Sequence, residues 1–366
     1  MMKKQRLEEY FISNHTELYN RMKNCDHGYE GSPNPYHLEG TVWNHTQMVL
    51  DIFGPETNST LLVAALLHDI GKLFVRMING DKVWFKGHTG RGTMEAIDII
   101  KDIKENLDDF SDINIVYALN LISMHHLFFN YLSSEITEKL VKKLYEKLKY
   151  FDYEFIYLLQ KLCLADCKGR ITDIDSNYGR LVRLFSMINF LYYSTNWNLN
   201  NDNKWTNKVV FNVGIPYAGK SYNSTKYKEN YVIISRDDLI IEKFKHCTYD
   251  EAWKLVDHNA INTELLEHLK KAIHNKENIV IDMTNLNRKS RNIKRCLFPS
   301  SYKKVANVYY TGLETIKNRR EASIGKYIPW NIIEKMMSSY SIPLYDEFDE
   351  INFIVDHKKK ERNIIR

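Results

Sequence analysis

The stretch GIPYAGKS, which spans residues 214–221, decides the fold of the second half of the chain. It matches G-x-x-x-x-G-K-[ST] at every fixed position and directly follows a run of β-branched residues. Gly214 and Gly219 let the backbone wrap around a phosphate, with successive N–H groups directed at the anion. In this pattern Lys220 reaches the β- and γ-phosphates and the Ser221 hydroxyl binds Mg²⁺. The stretch therefore predicts a site for ATP with Mg²⁺.

The pattern of hydrophobic residues differs on the two sides of a polar, Asn-rich segment. Residues 1–197 show helical spacing and the Leu/Ala-rich run Leu61–Leu67, and a helix is also predicted within the second half at Glu251–Asn275. Residues 207–366 otherwise alternate helical stretches with short β-branched runs, which is typical of a parallel sheet. The sequence predicts a multidomain protein with an all-α domain (1–197), a linker (198–206) and an α/β domain (207–366). The predicted strands are Val209–Val213, Tyr231–Ile234, Ile279–Ile281, Val305–Tyr310 and Asn352–Val355.

Composition narrows the class of protein. A chain of 366 residues with 44% hydrophobic residues is long enough for two cores. The net charge of +5 is compatible with a polyanionic partner without requiring one. Five scattered cysteines favour a reduced, cytoplasmic protein, and the absence of an apolar signal core or a long apolar run argues against a membrane partner. The sequence leaves the oligomeric state open.

Acidic and basic residues follow the predicted strands where phosphoryl transfer needs them. Asp237 lies just after a strand, where it can accept the proton of an attacking hydroxyl, although a helix cap would use the same residue type. Asp282 ends another strand, where it either supports Mg²⁺ through water or orients substrate. Arg319 and Arg320 either close over the phosphates or form a solvated helix face.

Four motifs follow one another within residues 207–345: GIPYAGKS, ISRDD, IDMTNLNRKSR and KNRREASIGKYIP. In this order they resemble the P-loop polynucleotide 5′-kinase family, typified by phage end-healing kinases. The resemblance implies that Asp237 is the general base and that Arg319 and Arg320 belong to a lid over ATP. It also implies an acceptor site along Asp282, Thr284 and Asn285. The family's arginine three residues after the base is Ile240 here, so Arg236 is the candidate substitute.

Histidine and aspartate residues recur in the helical half at spacings that suit a metal site. Imidazole and carboxylate together favour ions such as Mn²⁺, Co²⁺, Ni²⁺ or Zn²⁺, which acidify bound water. An adjacent His68-Asp69 pair ending an apolar helix needs a compensating partner such as a metal. Lys72, one turn later, is placed either to meet a substrate phosphate or to lie on the surface. The candidates in chain order are His45, His68, Asp69, His88, His125 or His126, and Asp166.

The ordered set H…HD…H…H…D over residues 36–190 resembles the HD-domain phosphohydrolases, and the segments GHTGRG and LADCKGR are similar to those of HD domains attached to RNA end-processing enzymes. By this resemblance His45, His68, Asp69 and Asp166 form the primary metal site. His88 and His125, which is favoured over His126, supply a second metal or contact the phosphate. One or two metals are compatible with the pattern.

An HD domain followed by a polynucleotide kinase resembles the bacterial and phage fusions that heal broken RNA or DNA ends. The resemblance implies a 5′-hydroxyl kinase joined to a 3′-phosphatase or 2′,3′-cyclic phosphate phosphohydrolase. It also implies nucleic acid ends as substrate, with RNA favoured over DNA, and a separate ligase acting downstream. Two alternatives stay open: a nucleotide phosphohydrolase fused to a small-molecule kinase, and a nucleotide-sensing HD regulator.

Overall fold

The computed structural model describes residues 3–29, 32–80, 82–174, 177–194, 205–324 and 326–356. The predicted linker, residues 198–206, lies outside the described residues except for its last two positions, as do residues 357–366. Two compact units emerge, one of Met1–Trp197 with Ser338–Ile342 and one of Asn198–Met337 with Pro343–Arg366. In the part that the structure describes, no helix combines the length and apolarity needed to cross a membrane.

The N-terminal unit is helical, as predicted, and adds a small antiparallel hairpin that the sequence did not indicate. The hairpin strands, β1 (Met77–Asn79) and β2 (Lys82–Trp84), are too short and exposed to show alternating hydrophobicity. The helices of this unit are α1 (Lys3–Asn14), α2 (Thr16–Asn24), α3 (Val42–Asp51), α4 (Ser59–Leu67), α5 (Lys72–Val75), α6 (His88–Asn106), α7 (Ile115–Met124), α8 (Glu138–Leu148), α9 (Tyr153–Lys168) and α10 (Tyr178–Ser194).

Helix α4 forms the centre of this unit, and every one of its residues is buried. Asn58 caps it by accepting hydrogen bonds from the first free backbone N–H groups, as N-cap residues do. Helices α3, α6, α7 and α9 pack around it. Truncation of a single buried leucine in such a core costs about 2–5 kcal/mol.

The C-terminal unit contains a parallel sheet in the strand order β4-β5-β3-β6-β7, which confirms the α/β prediction. The central strand carries the P-loop at its carboxyl end, where ligands bind in such sheets. The elements are β3 (Asn207–Val213), α11 (Lys220–Ser224), β4 (Val232–Ile234), α12 (Arg236–Lys243), α13 (Tyr249–Leu255), α14 (His258–His274), β5 (Ile279–Ile281), α15 (Arg288–Arg295), β6 (Tyr302–Tyr310), α16 (Leu313–Glu321), α17 (Trp330–Ser338) and β7 (Glu350–Val355).

The single helix predicted for Glu251–Asn275 is two helices in the structure. Val256 is extended, and Asp257 accepts hydrogen bonds from the N–H groups of Asn259 and Ala260, which starts α14 anew. The N-cap at Asp257 therefore starts a new helix although the spacing of hydrophobic residues continues.

Candidate metal centre and phosphate-binding site

The predicted metal ligands lie at or near helix ends. The buried helix α4 ends at Leu67, so the next two residues, His68 and Asp69, lie in the interior. His45 lies in α3, His88 begins α6, His125 follows α7, and Asp166 lies in the last turn of α9. The packing of these helices brings together side chains that are up to 121 residues apart.

Asp69 lies between two pairs of histidines. Its Oδ2 atom is 3.7 Å from Nε2 of His45 and 3.4 Å from Nε2 of His68. Its Oδ1 atom is 3.7 Å from Nε2 of both His88 and His125. One carboxylate thus faces two separate sets of nitrogen atoms, so these residues could hold one or two ions.

The tautomers of three histidines are set by the backbone. His68, His88 and His125 each donate from Nδ1 to the carbonyl oxygen three residues earlier, at 2.7, 2.9 and 2.7 Å. Burial lowers the pKa of His68, and it lowers the pKa of His88 to about 3. A neutral ring that donates from Nδ1 presents a lone pair at Nε2, the form that binds metal.

The Nε2 atoms of four histidines lie close together in two pairs. Nε2 of His68 is 3.2 Å from Nε2 of His45, and Nε2 of His88 is 3.4 Å from Nε2 of His125. Burial would lower the pKa of His45, but hydrogen bonds with Asp166 and Glu39 raise it overall. A cluster of nitrogen lone pairs at this spacing is stabilised by a shared proton or by a cation.

Two buried carboxylate oxygens strengthen the case for a cation. Asp69 Oδ1 and Asp166 Oδ2 find no hydrogen-bond partner among the described residues. Asp166 Oδ1 is 3.2 Å from His45 Nε2 and 2.5 Å from Nη2 of Arg170. Buried oxygen atoms without partners are costly unless an ion binds them. Imidazole and carboxylate donors therefore fit one or two divalent ions.

The structure brings all six predicted ligands together, and His125 and His126 differ in the side chains that they contact. His125 faces Asp69, whereas the ring of His126 packs against the rings of His88 and His125. Nitrogen atoms of His88, His125 and His126 are nonetheless close enough to share an ion. Lys72 is buried, and its ammonium lies 2.6 Å from Asp69 Oδ2 and 3.0 Å from His27 Nε2.

Sequence reasoning missed three residues that surround the centre. Glu39 accepts a hydrogen bond from Nδ1 of His37 at 2.7 Å and pairs with Nδ1 of His45 at 3.1 Å. The same Nδ1 of His45 also donates to the carbonyl oxygen of Gly169 at 2.9 Å. The His37 ring stacks on that of His27, which is buried. The segment HLEGTVWNH offered the signal, because it places His37 and Glu39 shortly before His45.

The P-loop takes the conformation that its glycines predict. Gly219 has a φ of +90°, and Tyr217 is also in the left-handed region at +63°. Lys220 is buried and donates to the carbonyl oxygen of Ile215 at 2.7 Å, whereas Ser221 is exposed. Burial lowers the pKa of Lys220 to about 8. The amide of Gly214 donates to the carbonyl of Thr284, which joins the loop to the segment after β5.

Asp237 lies in the first turn of α12, and Ser235 rather than either aspartate caps that helix. The hydroxyl of Tyr249 donates to Asp237 Oδ1 at 2.9 Å, and Lys326 pairs with Oδ2. The side chain stays partly exposed. A half-exposed carboxylate at the carboxyl edge of the sheet can reach an incoming hydroxyl.

The two predicted lid arginines differ in their contacts. Arg319 donates to the carbonyl oxygen of Tyr217 in the P-loop at 3.1 Å and pairs with Asp356. Arg320 instead donates to the carbonyl oxygen of Ile328 and lies over the ring of Tyr327. The P-loop therefore contacts Arg319 directly.

Arg236 precedes the candidate base in the sequence, and its guanidinium packs on an aromatic ring. Its guanidinium lies 4.6 Å from the centre of the Trp253 ring and 2.8 Å from Nδ1 of His258. Ile240, at the position of the family arginine, is fully buried and belongs to the core. The break before α14 places His258 where it can meet Arg236.

The segment after β5 divides into an open and a buried part. Asp282 accepts a hydrogen bond from Asn212 at 3.1 Å, and Asp282 and Thr284 remain partly exposed. Asn285, predicted to contact substrate, differs from that expectation. Its amide donates to the carbonyl oxygen of Asn212 at 2.8 Å and its oxygen accepts from Lys294, so both ends are used in the interior. A φ of +44° turns the side chain inward.

Two solved structures are similar to parts of the chain. One chain of "Structure of the Pnkp1/Rnl/Hen1 RNA repair complex" is 23% identical with a TM-score of 0.33, over 38% of this chain and 46% of that chain. A gluconokinase from Sinorhizobium meliloti 1021 is 15% identical with a TM-score of 0.31, over 41% of this chain and 84% of that chain. The match thus spans less than half of the RNA repair chain.

Family models match both halves. The HD domain model matches residues 37–161, which include five of the six predicted metal ligands. The AAA domain model matches residues 209–341, which include the P-loop and Asp237. The chain is therefore an HD domain followed by a P-loop, kinase-like AAA domain.

Proposed function

We propose that this chain heals broken nucleic acid ends as a 5′-hydroxyl polynucleotide kinase joined to a 3′-phosphatase/2′,3′-cyclic phosphodiesterase. One observation carries the proposal: a cage of histidines and aspartates and a P-loop with an adjacent carboxylate occur in the same chain. The first suits hydrolysis of a phosphoester and the second suits phosphate transfer to a hydroxyl. Neither a sensor nor a scaffold needs Asp237 beside the P-loop.

In the kinase reaction, Asp237 accepts the proton of the 5′-hydroxyl as its oxygen attacks the γ-phosphorus of ATP and ADP leaves. Tyr249 holds this carboxylate by its hydroxyl. Lys326 must exchange its contact with Asp237 for one with substrate, because the base has to be free. Lys220 and Arg319 offset charge on the phosphates, Ser221 would hold Mg²⁺, and Arg236 with Asp282 and Thr284 would contact the acceptor.

In the hydrolytic reaction, His45, His68, Asp69 and Asp166 would hold one divalent ion, and Asp69, His88 and His125 a second. Mn²⁺, Ni²⁺, Co²⁺ or Zn²⁺ suits this donor set, and such ions supply an acidified water and neutralise phosphoryl charge. Lys72 offsets the charge of Asp69 from within the protein. Arg170 does the same for Asp166.

The two activities together produce a 5′-phosphate and a free 3′-hydroxyl, which are the ends that a ligase joins. A separate ligase is therefore the expected partner, and RNA is favoured because ribonucleases leave 5′-hydroxyl and 2′,3′-cyclic phosphate ends. All five cysteines are free thiols, which suits the cytoplasm.

The deciding experiment is a product assay on an RNA that carries a 5′-hydroxyl and a 2′,3′-cyclic phosphate, with Mg²⁺/ATP and with Mn²⁺, Ni²⁺ or Co²⁺ in separate reactions. We expect 5′ phosphorylation in the first reaction, and in the second hydrolytic opening of the cyclic phosphate followed by release of inorganic phosphate. Lys220→Ala should abolish only the first activity and Asp69→Asn only the second. Phosphate transfer to a free nucleoside or sugar without transfer to the RNA would overturn the proposal.

A further inference from the structure

A cavity of about 330 Å³ opens beside the metal centre in the N-terminal unit. Its wall includes His126, whose ring packs against those of His88 and His125. Arg170, which pairs with Asp166, also lines it. The cavity therefore adjoins the residues that would act on a phosphate.

Two arginines give the cavity a positive lining. Arg170 lies against the metal ligand Asp166, and its guanidinium is 4.8 Å from the centre of the Phe129 ring. Arg180, from α10, also lines the cavity and donates to the carbonyl oxygen of Ser134 at 2.6 Å. None of the described residues that line the cavity is acidic. The lining thus suits an anion with two separated charges.

An exposed aromatic ring also lines the cavity. Tyr36 contributes to the lining with 52% of its surface exposed. Its segment is fixed to the segment after α9 by hydrogen bonds from Thr172 Oγ1 to the carbonyl oxygen of Pro35 and from the amide of Leu38 to the carbonyl oxygen of Ile171. The backbone on both sides of Tyr36 is therefore tied to the segment that follows Arg170, and the exposed ring offers a stacking surface beside the cavity.

We infer that this cavity binds the 3′-terminal nucleotide of a polynucleotide, an inference that rests on the proposed function. Tyr36 stacks on the terminal base. Arg170 meets the terminal phosphate beside the metal centre, and Arg180 meets the phosphodiester on the 5′ side of that nucleotide. The second phosphate contact distinguishes a strand end from a simple phosphomonoester.

The test compares a 3′-phosphorylated oligonucleotide with glycerol 2-phosphate, which has neither a base nor a second phosphate. Tyr36→Ala and Arg180→Ala should each lower the ratio of the two kcat/KM values by roughly tenfold or more, mainly through KM for the oligonucleotide. Tyr36→Trp should keep the wild-type ratio, because it keeps a stacking ring. Arg183→Ala, an exposed arginine on the same helix α10, is the matched control and should match wild type.

Binding without turnover gives a second readout. Metal-depleted protein is titrated with a labelled oligonucleotide whose 5′ end is already phosphorylated, so that the kinase site has no acceptor. Tyr36→Ala and Arg180→Ala should weaken this binding by a similar factor. Unchanged binding and an unchanged ratio, or an equal loss on both substrates, would overturn the cavity assignment. A wild-type protein that hydrolyses glycerol 2-phosphate but no oligonucleotide end would instead overturn the proposed function.

Discussion

Glu39 connects two histidines of the candidate metal centre to the segment after α9. Its Oε1 atom accepts from His37 and lies 3.1 Å from Nδ1 of the candidate ligand His45, and its Oε2 atom accepts from the amide of Ile171 at 3.0 Å. Burial would raise the pKa of Glu39, but the hydrogen bonds from His37 and His45 hold it well below the usual range. A charged acceptor behind an imidazole fixes the ring and makes its other nitrogen a better ligand.

Glu39→Gln should therefore weaken binding of Mn²⁺ or Ni²⁺ by roughly 10- to 100-fold, because the amide keeps the shape but loses the charge. Metal titration by calorimetry measures the effect directly. Glu138→Gln, an exposed acid at the start of α8, serves as the control and should bind metal like wild type. Wild-type affinity in Glu39→Gln would show that the carboxylate does not tune His45.

Asp237→Asn should lower the kcat of the kinase by roughly 100- to 10,000-fold, the usual contribution of a general base. Binding of ATP should change little, since Lys220 and the P-loop backbone stay in place. The exposed neighbour Asp238 is the matched control, and Asp238→Asn should keep full activity. Rates of 5′ phosphorylation and equilibrium binding of ATP separate the two effects, and an active Asp237→Asn variant would contradict the assignment of the base.

Residues with a strong local pattern could be predicted from the sequence, and residues defined by the fold could not. Lys220 and the His68-Asp69 pair stand in short motifs whose chemistry depends on spacing. Glu39 meets Ile171 across 132 residues of chain, so its role depends on packing that no local pattern encodes. The ion pair between Lys326 and Asp237 likewise depends on the fold and could not be predicted from the sequence. Asn285 was expected to line the acceptor site, whereas both ends of its amide make hydrogen bonds in the interior that depend on the fold.

At the scale of elements, strands were easier to place than helix boundaries. The central strands contain continuous apolar runs, Val209–Phe211 in β3 and Ile279–Ile281 in β5, since both faces are buried there, and each predicted run overlaps its strand. The break between α13 and α14 depends on a single cap at Asp257, which competes with an otherwise continuous helical pattern. Gly71 shows another limit: a Cβ there would lie 1.9 Å from the carbonyl oxygen of His88, a close approach that only the packing of α5 against α6 reveals.

Helix α15 is fastened to the segment before β7 by a buried ion pair. Arg291 donates from Nε and Nη2 to the two oxygens of Glu347 at 2.9 Å each, and both side chains are buried. Arg291 Nη1 also donates to the carbonyl oxygens of Asn285 and Leu286, so the pair supports the segment after β5. Removing one partner of such a pair leaves a buried charge uncompensated.

Glu347→Gln should therefore lower the free energy of unfolding of the C-terminal unit by about 3–5 kcal/mol. Chemical denaturation followed by circular dichroism measures this loss. The neighbouring pair of Arg288 and Asp346 is more exposed, so Asp346→Asn should cost less than about 1 kcal/mol. Equal losses in the two variants would mean that burial does not set the strength of this ion pair.

At the scale of the whole molecule, each compact unit has its own core and its own candidate site. The boundaries 1–197, 198–206 and 207–366 remain a prediction. A ligand that binds only the folded form of one unit stabilises that unit by about 2.7 kcal/mol when present at 100 times its Kd. Scanning calorimetry should therefore show two unfolding transitions. Mn²⁺ should raise the midpoint temperature of one, and Mg²⁺ with a non-hydrolysable ATP analogue should raise that of the other.

The variants assign each transition to its unit. Asp69→Asn should remove the shift caused by Mn²⁺ and keep the shift caused by the nucleotide, because both oxygens of Asp69 face the histidines of the metal centre. Lys220→Ala should remove the shift caused by the nucleotide and keep the shift caused by Mn²⁺, because the ammonium of Lys220 lies within the P-loop. A single transition that moves with both ligands would contradict two separate folding units and the proposed boundaries between them.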